Sequence, residues 1–530
     1  MSRKYTKEEI DYVIELVTDK ENPKKVTPAT QEMCAKFGIK YTEGIGRTFR
    51  NKMQKLGVTE NMAKIEDSKE FKKAAGRQFD RRKKTFIITW AQAQTDVHPE
   101  FFNNLLAYKK KLKAGFHVIA GRYRNPTSLS YNKALKFTES FPHHWADEAI
   151  PYLDAGRHNI HKYLQILSDV KVQPTAATPL SGFNGITGLE SCIVGHPRVH
   201  LKSLPVLDAY PNKLLMTTGA CTEQNYTDTK AGKKGYFHHQ LGFIIVELDD
   251  DYFHIRQVTA DSNGDFYDLI YKVENGEVKK NVEGVEAIIL GDIHNLNTDP
   301  IAMKVSEKML KIFQPNHTIV HDLFDGYNVN PHEQKDPFKL LQREESNTNL
   351  KSEIYSMTKW LHKYKEHNLV VVRSNHDVFF DRFLTEDWRK QGEKLQYLRY
   401  AAILAEGESP NGIIPYIIDR EFNGEVRALG LDDSYNVLGW ELGVHGHIGS
   451  SGSRGSATQF KNLNVKNVTG HTHTPTRIEG HLSVGTLTKM KLGYNYGMSS
   501  WMHSNVLIYP NGKAQHVHIM NGKFTRFRIK

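Results

Sequence analysis

The chain has 530 residues, too many to share one hydrophobic core, so two or three domains are expected. Hydrophobic residues make up 39% and charged residues 25%, which excludes a disordered low-complexity chain, and no apolar run approaches the roughly 18 residues that cross a bilayer. The formal charge of +11 is uneven: residues 1–85 carry 21 Lys and Arg against 13 Asp and Glu, which suggests a polyanion-binding module attached to a nearly neutral body.

The N-terminus, Met1-Ser2-Arg3-Lys4-Tyr5, runs straight into charged residues without an apolar signal segment, so a cytoplasmic protein is expected. Thr6-Lys7-Glu8-Glu9 has capping-box spacing, and Ile10, Val13, Ile14 and Val17 follow at helical intervals. A second helix is expected from Pro28 through Phe37, stopped by Gly38. A third is capped by Thr42, with Ile45, Phe49, Met53 and Leu56 as its apolar stripe and Arg47, Arg50, Lys52 and Lys55 largely on other faces. Three short helices with a tight turn before a basic third one outline a helix-turn-helix-like DNA-binding domain over residues 1–62; a small helical bundle with a solvated charged face is the alternative. A basic linker follows over 63–84, where Lys72, Lys73, Arg77 and the run Arg81-Arg82-Lys83-Lys84 suit phosphates.

From Thr85 the pattern changes. Strands are expected over 86–90, 116–120, 213–217, 241–248 and 252–258, with a helix over 98–112, giving a middle α/β domain over 85–283. No motif assigns it a role, and a binding or oligomerisation domain is expected. Asp96 with His98, and the pair His238-His239, are metal-competent, but ordinary polar loop or strand-end residues are the better reading. Residues 284–530 alternate strand and helix, with strands over 285–290, 318–320 and 369–372 and helices over 301–313 and 350–364. Each strand ends in a polar cluster, and in an open α/β sheet such clusters converge.

The cysteines, Cys34, Cys192 and Cys221, lie far apart without a C-x-x-C pair, so neither a disulfide framework nor a cysteine zinc site is indicated, and the 26 histidines become the informative residues. Metal-competent segments stand out at Gly291-Asp292-Ile293-His294, His321-Asp322-Leu323-Phe324-Asp325, Ser374-Asn375-His376-Asp377, Val444-His445-Gly446-His447 and Gly470-His471-Thr472-His473. Asp292 and His294, two apart at a tight strand exit, can reach one ion. Asp322 can bridge two, Asn375 offers an amide oxygen, and His445, His471 and His473 offer nitrogens. This mixed N/O shell suits Mn²⁺, Fe²⁺ or Zn²⁺ better than the all-oxygen shells that favour Mg²⁺ or Ca²⁺.

In order, these segments resemble the motifs of the calcineurin-like metallophosphoesterases: D-x-H, G-D-x-x-D, G-N-H-D, a histidine before glycine, and G-H-x-H. The resemblance covers about residues 284–510 and implies a β-sandwich flanked by helices that holds two divalent ions, Mn²⁺ first, with Mg²⁺, Fe²⁺ or Zn²⁺ as alternatives. It implies that one ion takes Asp292, His294, Asp322 and His473, and the other Asp322, Asn375, His445 and His471. His376 matches the family's catalytic histidine, which contacts the substrate phosphate and protonates the leaving oxygen, and Asp377 matches the residue that orients it. Asp325 and His447 are expected behind the ligands or near substrate. The sequence departs from the family at His321 and Ser374, where glycine is usual, which alters the flanking turns. In the fourth motif His445 is preferred to His447 as the ligand because it directly precedes glycine.

The superfamily includes phosphatases, nucleotidases and DNA nucleases, so the substrate must be read from the rest of the chain. The candidate DNA contacts are Arg47, Arg50 and Lys52 in the third helix and Arg81, Arg82, Lys83 and Lys84 in the linker. With Arg122 and Arg124 around Tyr123, they favour DNA over a small ester. The catalytic half is similar to SbcD-type repair nucleases. The size and layout also resemble the early host-DNA-degrading nucleases of T-five-type phages, which implies action in an infected bacterium's cytoplasm. A metal-dependent DNase is the expectation. A phosphatase or nucleotidase acting on small esters, and a DNA-binding regulator with an inactive phosphoesterase fold, are the alternatives. A homo-oligomer without membrane association is expected. The need for a partner ATPase stays open, since the chain carries no Walker-type loop.

Overall fold

The computed structural model describes residues 5–19, 24–56, 69–122, 145–331, 335–346, 348–387, 389, 394–492 and 495–527. The described residues divide into two compact units, one ending at Lys72 and the other starting at Lys73. No helix among them is long and apolar enough to cross a membrane.

The first unit is built on helices Lys7–Thr18, Val26–Lys36 and Glu43–Lys55. Its capping box forms as the spacing requires: Glu9 N donates to Thr6 Oγ1 at 3.2 Å and Thr6 N donates to Glu9 Oε2 at 2.9 Å. The second helix starts at Val26, two residues ahead of the expected Pro28, and Gly38 beyond its end takes φ +63°, which costs glycine little. Val13, Val17, Ala29, Met33, Phe49 and Met53 meet in one core at no more than 1% exposure, but Leu56, expected on the same stripe, is 53% exposed just past the last turn. Residues 57–62 lie outside the described residues.

In the second unit, four of the expected middle-region strands form a five-stranded sheet with Leu153–Asp154, in the order Phe253–Thr259, Gly242–Leu248, Thr85–Gln92, Gly115–Gly121 and Leu153–Asp154, whereas the expected strand Lys213–Thr217 belongs to a ten-stranded sheet. Helix Pro99–Leu112 connects the parallel strands Thr85–Gln92 and Gly115–Gly121, capped by His98 Nδ1, which accepts from Phe101 N at 3.3 Å. His98 is therefore a cap, and His239 is buried between the Tyr226 hydroxyl and the Thr222 carbonyl, so neither gathers a metal-binding group.

The C-terminal region contributes a six-stranded sheet, in the order Arg427–Ala428, Leu369–Val372, His317–His321, Ala287–Ile289, Ser504–Ile508 and Ala514–His518. Its first four strands run parallel. Side-chain alternation divides it cleanly. Ile288, Val320, Leu369 and Val371 pack against helices Pro300–Phe313, Leu350–Tyr364 and Ile413–Phe422. Ala287, Ile289, Ile319, Val370 and Val372 face the opposite way and meet Trp440, Val468 and Leu482 of a second, ten-stranded sheet.

The ten-stranded sheet crosses the boundary expected at 283/284. Strand Leu201–Leu204 from the middle region pairs antiparallel with Thr476–Ile478, matching Lys202 to Thr476 and Leu201 to Arg477. The middle region and the C-terminal half therefore share one sheet. The last part of the expected linker is also built in: Ala155 N donates to the Ala74 carbonyl at 3.3 Å, and Arg77 donates to the Leu153 and Pro151 carbonyls.

Phe49, at 0% exposure, is the largest side chain buried in the core of the first unit. Phe49→Ala should remove about 3–5 kcal/mol from that unit. Native-state hydrogen exchange is expected to show lost amide protection over helices 7–55 and intact protection over strands 287–321; unchanged protection in the helices would contradict this packing.

Candidate metal centre

Strands of the two packed sheets deliver every expected ligand to one end. Asp292 and His294 follow strand Ala287–Ile289, Asp322 follows His317–His321, and Asn375 and His376 open helix Asn375–Phe383 after Leu369–Val372. From the ten-stranded sheet, His445 follows Trp440–Glu441, and His471 and His473 follow Lys466–Thr469. Ligand sites at the carboxyl ends of strands are the rule in open α/β sheets.

The seven expected ligands form two groups joined at Asp322. In one, Asp292 Oδ2 lies 3.1 Å from His473 Nε2, His473 Nε2 lies 3.3 Å from His294 Nε2, and His294 Nε2 lies 3.2 Å from Asp322 Oδ2. In the other, Asp322 Oδ2 lies 3.5 Å from His445 Nε2, and Asn375 Oδ1 sits 3.2 Å from His445 Nε2 and 3.1 Å from His471 Nδ1. The residues thus group in the way that the sequence resemblance implies for its two ions. Asp292, Asp322 and His473 offer ligand atoms all within 4.8 Å of one another, as do His294, Asp322 and His376.

Chemistry fits a cation here. Asp292, His294, Asp322, His445 and His473 are at most 3% exposed, and the Asp322 Oδ1 and His473 Nδ1 atoms are buried with no hydrogen-bond partner. Buried polar atoms are normally satisfied, and buried charges are normally paired or metal-bound. The field is strongly negative at His294: burial alone would lower its pKa, yet Asp322, Asp325 and Asp292 raise it to about 9. Burial would likewise raise Asp322, but His376, His294 and His445 hold it well below the usual carboxylate range.

Backbone strain concentrates at the same place. His294 has φ +43°, Asp322 +51°, His471 +69° and His473 +56°, all in the left-handed region that non-glycine residues rarely adopt. Gly470 is required for close approach, since a Cβ there would stand 2.2 Å from Asp292 Oδ1 and 3.0 Å from His321.

The other expected residues divide. His376 lines the cleft, and its Nδ1 donates to the Asp325 carbonyl oxygen, which leaves Nε2 as its second functional nitrogen. The Asp325 carboxylate accepts from Leu296 N at 2.7 Å and Asn297 Nδ2 at 3.0 Å and stands 3.7 Å from His294 Nδ1, so it braces the loop that carries His294. Asp377 needs correction as the residue that orients His376. Its Oδ2 accepts from Ser374 N at 2.8 Å and its N donates to Ser374 Oγ, closing a capping box, and burial pushes its carboxyl up to about 7. The group that orients His376 is the Asp325 main chain. Ser374, where the family usually has glycine, is thus an N-cap. His321, the other departure, is fully buried with its Nδ1 3.4 Å from that of His445. His447 stands beside the cluster, its ring 5.4 Å from His445 and 6.0 Å from His471, while His445 makes the contacts expected of a ligand.

Beyond the motifs, the cleft, about 490 Å³, is lined also by Asn297, Tyr327, Asn330, Lys339 and Trp501. Trp501 lies 4.1 Å from the His473 ring. Asn297, three residues after His294, could have been suspected from that loop; Trp501 sits outside every motif, and no sequence signal marks it.

The expected DNA contacts lie elsewhere. Arg47 and Arg50 are exposed and Lys52 half-buried on helix Glu43–Lys55, and Arg50 donates to Thr27 Oγ1 at 2.7 Å. Arg81 is exposed, but the rest of its run is engaged: Arg82 with Asp80 at 2.9 Å, Lys83 with the Lys113 carbonyl at 3.0 Å and Lys84 with Asp250 at 3.4 Å. That stretch is a partly neutralised face, less suited to phosphates than its sequence suggests. Arg122 donates to the Asp169 carbonyl, and Tyr123 and Arg124 lie outside the described residues.

Gly470→Ala should displace Asp292 and press on His321. Calorimetry with Mn²⁺ is expected to show at least a tenfold loss of affinity, in line with what misplacing a ligand costs. Wild-type affinity in a folded variant would contradict the close approach.

No protein-family model matches the chain. It is similar to Protein A1 of Escherichia phage T5, with 29% identity over 468 residues that cover 83% of this chain and 83% of that one. The expected link to phages of the T5 type therefore has a counterpart in a curated protein.

Proposed function

We propose that the chain is a metal-dependent hydrolase of phosphodiester bonds and that DNA is its substrate. One observation carries the first half: seven metal-competent side chains, from segments between residues 292 and 473, meet as two groups that share Asp322, with His376 beside them. Two divalent cations held there, Mn²⁺ by preference, would supply Lewis acidity toward a phosphoryl oxygen and a water acidic enough to attack at neutral pH.

The chain's own groups do the rest. Asp292, His294 and His473 on one side and Asn375, His445 and His471 on the other would hold the two cations and so set where a phosphate can sit. With its Nδ1–H donating a hydrogen bond to the Asp325 carbonyl, His376 in its protonated form carries on Nε2 the proton that passes to the leaving oxygen. Asp325 keeps both this ring and the His294 loop in place. Tyr327, Lys339 and Trp501 line the approach, where an ammonium and two aromatic rings suit a phosphodiester strand with its bases.

DNA as substrate rests on the basic excess of residues 1–85 and the exposed Arg47 and Arg50 of the third helix. Similarity to a phage protein agrees with a role in degrading host DNA during infection.

Linear duplex DNA incubated with the full-length protein should disappear in Mn²⁺ and survive in EDTA, with His376→Ala slowing cleavage at least a hundredfold while still binding Mn²⁺. Intact DNA beside a hydrolysed phosphomonoester would move the substrate to small esters, and intact DNA with no ester turnover would reject the enzyme. In a binding assay, Arg47→Gln with Lys52→Gln should flatten the slope of log K against log salt by roughly 1–2. An unaltered slope would remove the third helix from the DNA interface.

A further inference from the structure

The ten-stranded sheet carries a second polar cavity at the end away from the metal centre. Strand Lys466–Thr469 leads to His471 and His473 at its C-terminal end; at its N-terminal end, Lys466, the turn of Glu479 and Gly480, and Lys513 close around a cavity of about 330 Å³. The side chains lining it include Arg198, His200, His238, Arg477, Lys466 and Lys513, and Glu479 is the one carboxylate there among the described residues.

Glu479 is already committed. Arg198 Nη1 donates to its Oε1 at 3.0 Å, and His238 Nε2 stands 3.9 Å from the same oxygen. Arg477 is 6% exposed, gives Nη1 to the Ala514 carbonyl at 3.3 Å, and meets no carboxylate among the described residues. Its Nε, the Nε of Arg198 and the Nε2 of His200 are all buried with no hydrogen-bond partner. Burial brings Arg477 down to about 10; burial together with the charges of Lys466 and Arg477 brings Lys513 down to about 8. Cations gathered around one cavity, with buried donors left over, call for an anion.

We propose that this cavity binds a phosphate group, as inorganic phosphate or as the phosphate of a nucleoside monophosphate, with Arg477, Arg198 and Lys513 as its charged contacts. A phosphate brings close to two negative charges and three acceptor oxygens, where a lone carboxylate would leave most of these donors unmet. Guanidinium groups are the side chains best shaped for it. The cavity is too small for a duplex, and Phe237 at the rim, 78% exposed, offers a face for a base.

Calorimetry on the full-length protein in EDTA, with inorganic phosphate and with dAMP, tests this. One saturable site per chain is expected, weakened at least tenfold by Arg477→Gln and by Lys513→Gln and unchanged by His471→Ala in the metal cleft. Lys513 is only partly buried, so its variant carries the test if Arg477→Gln does not fold. Tighter binding of dAMP than of phosphate would assign a nucleotide, and equal binding would assign phosphate alone. Absence of saturable binding would overturn the proposal, as would binding that both variants leave within twofold of wild type or that His471→Ala abolishes.

Discussion

Asp322 is a carboxylate with almost no access to water, 2% exposed, with one oxygen shared between His294 at 3.2 Å and His445 at 3.5 Å. An ionised carboxylate in such a place is tolerable only where positive charge meets it. Asp292, equally buried, makes the same demand a few ångströms away through His473. The arrangement of the surrounding chain follows from holding two buried carboxylates against four imidazoles and one amide oxygen without letting them relax apart.

The fold meets this demand by rigidity. Ile288, Ile289, Ile319, Val320, Val370 and Val371 are all buried at 4% exposure or less on the two faces of the parallel strands, so the strand ends cannot drift. The left-handed residues at the ligands cost about 1–2 kcal/mol each. Packing on both faces of the sheet exceeds that, since each fully buried aliphatic side chain contributes about 1.5–3 kcal/mol. A buried polar network extends the same frame into the middle region. Arg256 donates to Asp268 at 2.6 and 2.8 Å and also meets Glu247, while Tyr108 and Gln515 donate to Asp268 at 2.6 and 3.0 Å. Gln515 belongs to the six-stranded sheet and Glu247 and Arg256 to the five-stranded one, and removing Arg256 would leave the buried Asp268 and Glu247 without their counter-charge.

The metal-competent residues were legible because their spacing is local: Asp292 with His294, Asn375 with His376, and His471 with His473 each lie within one turn of chain, and helix caps such as Thr6 with Glu9 are local too. What stayed hidden depends on partners remote in sequence. Pairing of Leu201–Leu204 with Thr476–Ile478 erased the boundary at 283/284, and nothing in either strand names the other. Lys84 reads as a phosphate contact until Asp250, 166 residues away, is found beside it. The family resemblance gives the orientation of His376 to Asp377, whereas the acceptor is the Asp325 main-chain oxygen, which no side-chain motif names.

Equilibrium dialysis of Mn²⁺ against the wild type, Asp322→Ala and Asn375→Ala addresses the shared carboxylate directly. The account predicts two tightly bound ions per chain in the wild type, one in Asn375→Ala and none in Asp322→Ala. Wild-type stoichiometry in a folded Asp322→Ala protein would contradict it.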